Sequence, residues 1–136
     1  MIAQPHGPPE SVLLEFVRSW FHLLASGQWN EACRQLDEPN CYGLQWTPDS
    51  IQQSIEQAFH PGCRFRIANP EGPQFSTPMT ASGTPAAMLW ELADQSGYRL
   101  DHDVPLNGQW SDLTAQFEFL RRPGGFAVVL HDLHVL

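Results

Sequence analysis

The sequence predicts an α+β fold in which N-terminal helices pack on a curved antiparallel sheet that ends in a three-strand meander. Two observations predict it. From residue 10 to about residue 60, apolar side chains recur every three to four positions, which is typical of amphipathic helices. In the last third they alternate with polar side chains, which is typical of strands. The chain has 136 residues, enough for one hydrophobic core. We expect a loose arm over residues 1–9 and a single α+β domain over residues 10–136.

Three helices are predicted in the first part of the chain. The first begins near Glu10, because the preceding proline suits a helix start and the acid suits the positive end of the helix dipole. It ends at Gly27, which is suited to a helix C-terminus. The second covers residues 28–36, before a proline that cannot continue it. The third has Thr47 as its N-cap, followed by proline and aspartate, and ends at residues 60–62.

The spacing of apolar residues changes after the third helix. Alternation predicts a short strand over residues 63–68, and the density of proline and glycine predicts a loop over residues 69–85. Residues 86–93 are assigned to a strand, although their composition also allows a helix. Three more strands follow, at residues 98–106, 113–119 and 126–136, with a turn at Asn107-Gly108. The last strand is apolar on both faces, so we expect it to be central or at an interface, such as that of a homodimer.

The charge of the chain excludes several classes of partner. Seven basic residues, all arginine, face fifteen acidic ones, which gives a net charge of -8. Proteins that bind nucleic acid or anionic lipid rely on clustered cations, so we expect neither nucleic acid nor a membrane as a partner. An acidic surface favours a basic protein, although it also serves solubility alone. With no apolar run long enough to span a bilayer and no secretion signal, we expect a cytoplasmic protein.

The sequence lacks the motifs that hold metals and cofactors. It has no Cys-x-x-Cys pair, phosphate loop, dinucleotide-binding glycines or nucleophile elbow, so we expect no metal and no cofactor. Cys33, Cys41 and Cys63 are an odd count, which predicts three reduced thiols rather than a disulfide framework. We expect Cys33 to be buried on the second helix.

The sequence contains two candidate functional sites with histidine, one at residues 131–134 and one at His102. Side chains alternate along a strand, so we expect His131 and His134 on opposite faces, unable to chelate one ion without a bulge. Asp132 and His134 share a face and are expected to pair. His102 lies on the apolar face of its strand. It is a candidate general base in a pocket with apolar walls, or else a hydrogen-bonded histidine of the core.

Two segments resemble known families. Residues 23–32, Leu-Leu-Ala-Ser-Gly-Gln-Trp-Asn-Glu-Ala, resemble the helix–Gly–Trp–helix opening of the nuclear-transport-factor-like (ketosteroid-isomerase-like) cone fold. Residues 111–114 together with residues 129–136, which end in Asp-Leu-His-Val-Leu, resemble a family of small bacterial proteins of unassigned function. Some members of that family are encoded near secreted toxins. The first resemblance implies a cone-shaped pocket, and the second implies a fold and a genomic context.

These observations predict a non-enzymatic protein-binding module, namely an immunity protein that binds and neutralises a basic toxin. Aromatic anchors within an acidic field suit such a partner, although large aromatic side chains also complete hydrophobic cores. The expected contact residues are Trp90, Glu91, Asp101, Asp103, Trp110 and Asp112. The alternative is a cone-fold enzyme or ligand-binding protein that acts through an inward-facing His102.

Overall fold

The computed structural model describes residues 1–59 and 74–136, and it confirms the predicted α+β class. The helices are α1 (Glu10–Ala25), α2 (Trp29–Arg34) and α3 (Pro48–Ala58). The strands are β1 (Ile2–Ala3), β2 (Ala87–Glu91), β3 (Gly97–Leu106), β4 (Gln109–Arg122) and β5 (Gly125–Val135). They form one curled antiparallel sheet in the order β1-β5-β4-β3-β2. The predicted strand at residues 63–68 and the predicted helix end at residues 60–62 lie outside the described residues.

The helices begin and end where local chemistry directs them. Gly27 follows α1 with a φ of 77°, the left-handed conformation that glycine adopts without strain. In α3 the Thr47 side chain accepts a hydrogen bond from the Ser50 N–H at 3.2 Å, and the Ser50 hydroxyl accepts one from the Thr47 N–H at 2.9 Å. This reciprocal capping box confirms the predicted start of the third helix. Helix α2 is shorter than predicted, because the Leu36 N–H bonds only three residues back.

The C-terminal meander matches the prediction, with β3 and β4 longer than predicted and β5 of the predicted length. Asn107 and Gly108 have φ values of 52° and 77°, which is the two-residue turn that matches the twist of a hairpin. Residues 87–91 form a strand rather than a helix, paired to β3 from Ala87 to Glu91. Among residues 1–59 and 74–136, no helix combines the length and the apolar composition that a bilayer span requires.

The helices cover one face of the sheet, which we name the inner face. Aromatic side chains fill the space between them. Trp20 meets Phe117 edge to face at 5.2 Å between ring centroids, and Phe16 meets Phe119 at 5.9 Å. Trp20, Phe117 and Phe119 are fully buried. The concave side of the sheet is therefore occupied by the protein's own core.

The outward edge of β5 is covered by segments from the first part of the chain. Ile2–Ala3 pairs with the start of β5, whereas the sequence predicts a loose arm over residues 1–9. Further along, Asp37 exchanges two bonds with Val128: its N–H donates to the carbonyl at 2.8 Å, and its carboxylate accepts from the N–H at 2.7 Å. The Trp46 indole donates to the carbonyl of Leu130 at 2.7 Å. Strand β5 is thus an inner strand, as one of the two predicted alternatives requires.

Strand β5 contains one bulge. Gln116 of β4 is opposite Asp132, but the next residue, Phe117, is opposite Leu130. His131 is therefore an extra residue without a partner in the ladder. The bulge changes the face of every side chain that follows it, relative to simple alternation.

Candidate protein-binding surface

The face of the sheet that points away from the helices, which we name the outer face, is rich in carboxylates. Strand register places on it, among others, Met88, Trp90, Arg99, Asp101, Asp103, Thr114, Gln116, Glu118, Asp132 and His134. Acidic side chains outnumber basic ones in this set. Asp112 is close enough to Asp103 for its charge to raise the pKa of that carboxyl. The outer face therefore concentrates the negative charge that the composition predicts.

A chain of contacts crosses the outer face from β2 to β4. The Arg99 guanidinium lies 6.0 Å from the centroid of the Trp90 ring, within the range of a cation–π contact. Nε of the same arginine is 3.2 Å from Oδ1 of Asp101. The amide of Gln116 donates to Oδ2 of Asp101 at 3.3 Å. Because each group is held by its neighbours, Trp90 and Asp101 are presented in a defined arrangement.

Asp103 has a structural role on the outer face. Its Oδ2 accepts a hydrogen bond from the Ala86 N–H at 2.7 Å, which ties the beginning of β2 to β3. Burial raises the pKa of Asp103, and the nearby carboxylate of Asp112 acts in the same direction. Asp112 itself is exposed. Of these two acids, Asp112 is the one free to meet a partner.

The outer face ends at β2, where two large apolar side chains are exposed. Met88 is 66% exposed and Trp90 is 39% exposed. They lie two residues apart and so project from the same face of the strand. Beside them, across the strand pair, are Asp101 opposite Met88 and Arg99 opposite Trp90. The sequence analysis missed Met88, although its alternation with Trp90 was a usable signal.

The structure brings together four of the six expected contact residues: Trp90, Asp101, Asp103 and Asp112. Trp110 lies on the helix side, where its indole donates to the carbonyl of Gly83 at 3.1 Å. It turns there because the β3–β4 ladder shifts register between Asp103 and Pro105. Glu91 is opposite Tyr98 at the rim of the inner face, 3.6 Å from Arg121.

The bulge at His131 overturns one expectation. His131 was expected on the face opposite His134, but its Nδ1 lies 3.3 Å from Oε1 of Glu118, on the outer face. Asp132 and His134 do pair: Oδ2 and Nδ1 are 3.0 Å apart, in a close contact that is not an aligned hydrogen bond. Within residues 1–59 and 74–136, no group of three histidine, cysteine, aspartate or glutamate side chains lies close enough together to hold a metal ion.

The two described thiols are free cysteines. Cys33 is half-buried on α2, and burial raises the pKa of its thiol, so it stays protonated and unreactive at neutral pH. Cys41 is exposed, with its Sγ 3.7 Å from Nδ1 of His131. Cys63 lies outside the described residues.

His102 faces inward, as expected, and is fully buried. Its Nδ1 is 2.7 Å from the carbonyl of Asp103. A carbonyl only accepts hydrogen bonds, so Nδ1 carries the proton and Nε2 is the unprotonated nitrogen. Nε2 has no partner in the described part of the chain. The ring is 5.4 Å from both Phe21 and Trp110, and burial lowers the pKa of this histidine.

A cavity of about 680 Å³ lies on the helix side, between the flank of α1 and residues 78–85. Its volume falls within the range of small-molecule sites. The apolar part of its wall includes Leu14, Met79 and Trp110. Arg18 supplies a positive charge, and His22 lies one turn further along α1. Arg18 has no ion pair or hydrogen bond with any other described residue. His102 is one ring behind this wall, beyond Trp110.

In comparisons with protein-family models, curated proteins and solved structures, nothing matches this chain. The geometry of the two surfaces therefore carries the functional argument.

Proposed function

We propose that this chain is a stoichiometric protein-binding module whose outer face docks a basic protein. The observation that supports it most is the pair of exposed apolar side chains, Met88 and Trp90, with the carboxylate of Asp101 opposite Met88 and the exposed carboxylate of Asp112 near Asp103. Interfaces are anchored by a few large apolar side chains, and complementary charge around them selects the partner. Arg99 and Gln116 hold this arrangement before a partner arrives.

Binding alone is sufficient for an inhibitor. A basic partner that acts on an anionic substrate has a cationic site, and the carboxylates of the outer face can occupy that site without any chemical step. The C-terminal resemblance to proteins encoded near secreted toxins supports a toxin as the partner. In its specific form, we propose a cytoplasmic immunity protein that blocks a basic toxin.

The test begins with the protein that co-purifies with this chain from its native cells, identified by mass spectrometry and then purified. Its affinity is measured by calorimetry for the wild type, for Trp90→Ala and for the double variant Asp101→Asn/Asp112→Asn. We expect each variant to bind at least about tenfold more weakly, or about 1.4 kcal/mol, and the affinity to fall with salt.

The matched control is Asp49→Asn/Glu56→Gln, which removes two exposed acids from α3 and changes the net charge by the same amount. We expect it to bind like the wild type. A partner without basic character contradicts the proposal, and so does an equal loss of affinity in the control.

A second candidate function is the binding of a small anionic ligand in the helix-side cavity. The unpartnered guanidinium of Arg18, next to an apolar wall, favours a ligand with an anionic head and an apolar body. Glu15, one turn before Arg18, also lines the cavity, so the ligand's anionic group is expected nearer to His22. In this second candidate function, Arg18 contacts the ligand in place of His102, because His102 lies behind Trp110.

Decanoate and decanol separate charge from apolarity as probes of this cavity. We expect decanoate to bind more tightly than decanol in calorimetry, and Arg18→Gln to remove the difference. Arg34→Gln is the control, because Arg34 is exposed on α2 and already paired with Glu31 at 2.9 Å. Equal binding of the two probes to the wild type, or equal effects of the two substitutions, would exclude an anion site.

A further inference from the structure

Within residues 1–59 and 74–136, strand β2 is paired along only one of its two edges. The Ala86 carbonyl accepts from the Asp103 N–H at 2.9 Å, and the Leu92 N–H donates to the Gly97 carbonyl at 2.8 Å. In an antiparallel pair, bonded positions alternate along the strand. The N–H and C=O groups of Ala87, Leu89 and Glu91 therefore point away from β3.

These backbone groups have no partner among the described residues, since β2 is the last strand of the sheet and pairs only with β3. An exposed edge of this kind is a template for another strand. Proteins usually protect such an edge with lysine, proline or a bulge. Strand β2 reads Ala-Met-Leu-Trp-Glu and its register with β3 is continuous, so it lacks lysine, proline and a bulge, and its one charged side chain is Glu91 at its end.

The opposite edge of the sheet, at β5, is covered by other segments of the chain. There β1, Asp37 and Trp46 supply partners to β5. One edge of the sheet is thus closed by the chain itself, and the other is left open beside exposed Met88 and Trp90.

We propose that a basic strand of the partner adds to β2 and extends the sheet. This inference rests on the proposed function and specifies how the partner docks. Neighbouring strands are about 4.8 Å apart, so a residue on the added strand is about 10 Å from β3. A lysine or arginine side chain can lay its aliphatic part across Met88 or Trp90 and bring its charge to Asp101.

The charge of the molecule selects this occupant over a second copy of the chain. Two copies joined along β2 would each bring a net charge of -8 and a carboxylate-rich outer face to the same interface. A basic strand instead brings cations to the Asp101 carboxylate beside Met88, and the Arg99 guanidinium beside Trp90 leaves that position to an apolar contact. The favoured occupant is therefore an extended segment that alternates cationic and apolar side chains.

The probe is the synthetic peptide Lys-Val-Lys-Val-Lys-Val-Lys, compared with Lys-Pro-Lys-Pro-Lys-Pro-Lys, which has the same charge. In the register that places lysine on the outer face, the second peptide has proline at each position that would donate to β2. Binding to the full-length ¹⁵N-labelled chain is followed by NMR, together with amide hydrogen exchange. We expect the valine peptide to bind at least about tenfold more tightly, a difference of about 1.4 kcal/mol. We also expect it to slow exchange at Ala87, Leu89 and Glu91.

Ala87→Pro removes one outward N–H without removing a bond to β3, and Ala87→Ser keeps that N–H. We expect Ala87→Pro to abolish the preference for the valine peptide and Ala87→Ser to retain it. Leu89→Pro against Leu89→Ala repeats the comparison at a second outward position, in case the first proline variant does not fold.

The two proposals fail in different ways. Strand addition is overturned if neither peptide binds, if both bind alike, or if the proline variants keep the preference. It is also overturned if amide protection at β2 grows with protein concentration alone at neutral pH, because a second copy is then the occupant. Equal loss of binding of both peptides in Asp101→Asn/Asp112→Asn supports the acidic surface. No effect of that variant on either peptide contradicts the acidic surface, whatever the outcome at β2.

Discussion

His102 is held by one hydrogen bond and two aromatic rings. Its Nδ1 donates to the Asp103 carbonyl at 2.7 Å, and Phe21 and Trp110 lie on either side of the ring. Burial lowers the pKa of His102, and the charge of Arg18 acts in the same direction. The Asp103 carbonyl and carboxylate oppose that shift but are outweighed. The imidazole is therefore neutral at neutral pH.

This environment predicts a loss of stability in acid. The unfolded chain takes up a proton on His102 near the ordinary histidine pKa of about 6.5, whereas the folded chain resists it, so protons favour unfolding. We expect the free energy of unfolding to fall by up to about 1.4 kcal/mol per pH unit from this group below about pH 6.5. His102→Leu lacks that contribution in urea unfolding at a series of pH values.

His6→Leu is the control, since it removes an exposed imidazole from the N-terminal segment. We expect its pH dependence to match the wild type. A His102→Leu variant with the wild-type slope would show that protonation at this site does not oppose folding.

Single residues also show how far the sequence could predict the site. Alternation was enough to place His102 inward and Asp101 outward, because both lie where the β3–β4 ladder is regular. Trp110 could not be placed, because the ladder shifts between Asp103 and Pro105. A register shift depends on how two strands meet, and neither strand's own sequence records it.

Helix α3 has the most complete local start signal of the three helices. Thr47 and Ser50 satisfy each other's backbone N–H groups, and Pro48 and Asp49 suit the first turn. On its inner side, Ile51 and Ile55 are fully buried. The capping residues and the apolar face indicate the same helix, which is why the sequence predicts where it starts.

Thr47→Ala is expected to lower the free energy of unfolding by about 1 kcal/mol, because it leaves the Ser50 N–H without its acceptor. Thr47→Asp supplies an equivalent oxygen and is expected to stay within about 0.5 kcal/mol of the wild type. Urea unfolding of the three proteins measures both values. If both variants lose the same stability, the side-chain cap is not the cause.

Elements differ in how much of them the sequence predicts. The meander was predicted because Asn107-Gly108 is a strong turn signal between alternating strands. Strand β1 was not, because Ile2–Ala3 is too short to show a period and owes its conformation to the edge of β5. A short strand of this kind exists only through its partner.

The two edges of the sheet differ, and the net charge of the molecule is strongly negative. The closed edge at β5 and the open edge at β2 lie at opposite ends of one sheet. Repulsion at a net charge of -8 opposes contact between copies at neutral pH. That protection disappears near the isoelectric point of about 5.0.

We expect the protein to self-associate through β2 as the pH approaches the isoelectric point, and Met88→Lys to reduce this, because a lysine on an edge strand opposes pairing. Met79→Lys is the control: Met79 is 92% exposed but is not on an edge strand. Sedimentation velocity between neutral and mildly acidic pH measures the association. Equal behaviour of the two variants would assign the effect to net charge alone.

The bulge in β5 has a consequence for length variation. Leu130 and Leu133 both face the core, and Asp132 and His134 both face outward, so His131 is the surplus residue in an otherwise regular alternation. Deleting His131 leaves every later side chain on its present face. Deleting a residue inside the regular ladder, such as Val128, inverts the neighbouring segment. His131 is thus the position in this strand where losing a residue keeps the facing of the side chains, at the cost of the hydrogen bond that its carbonyl accepts from Asn40 at 3.0 Å.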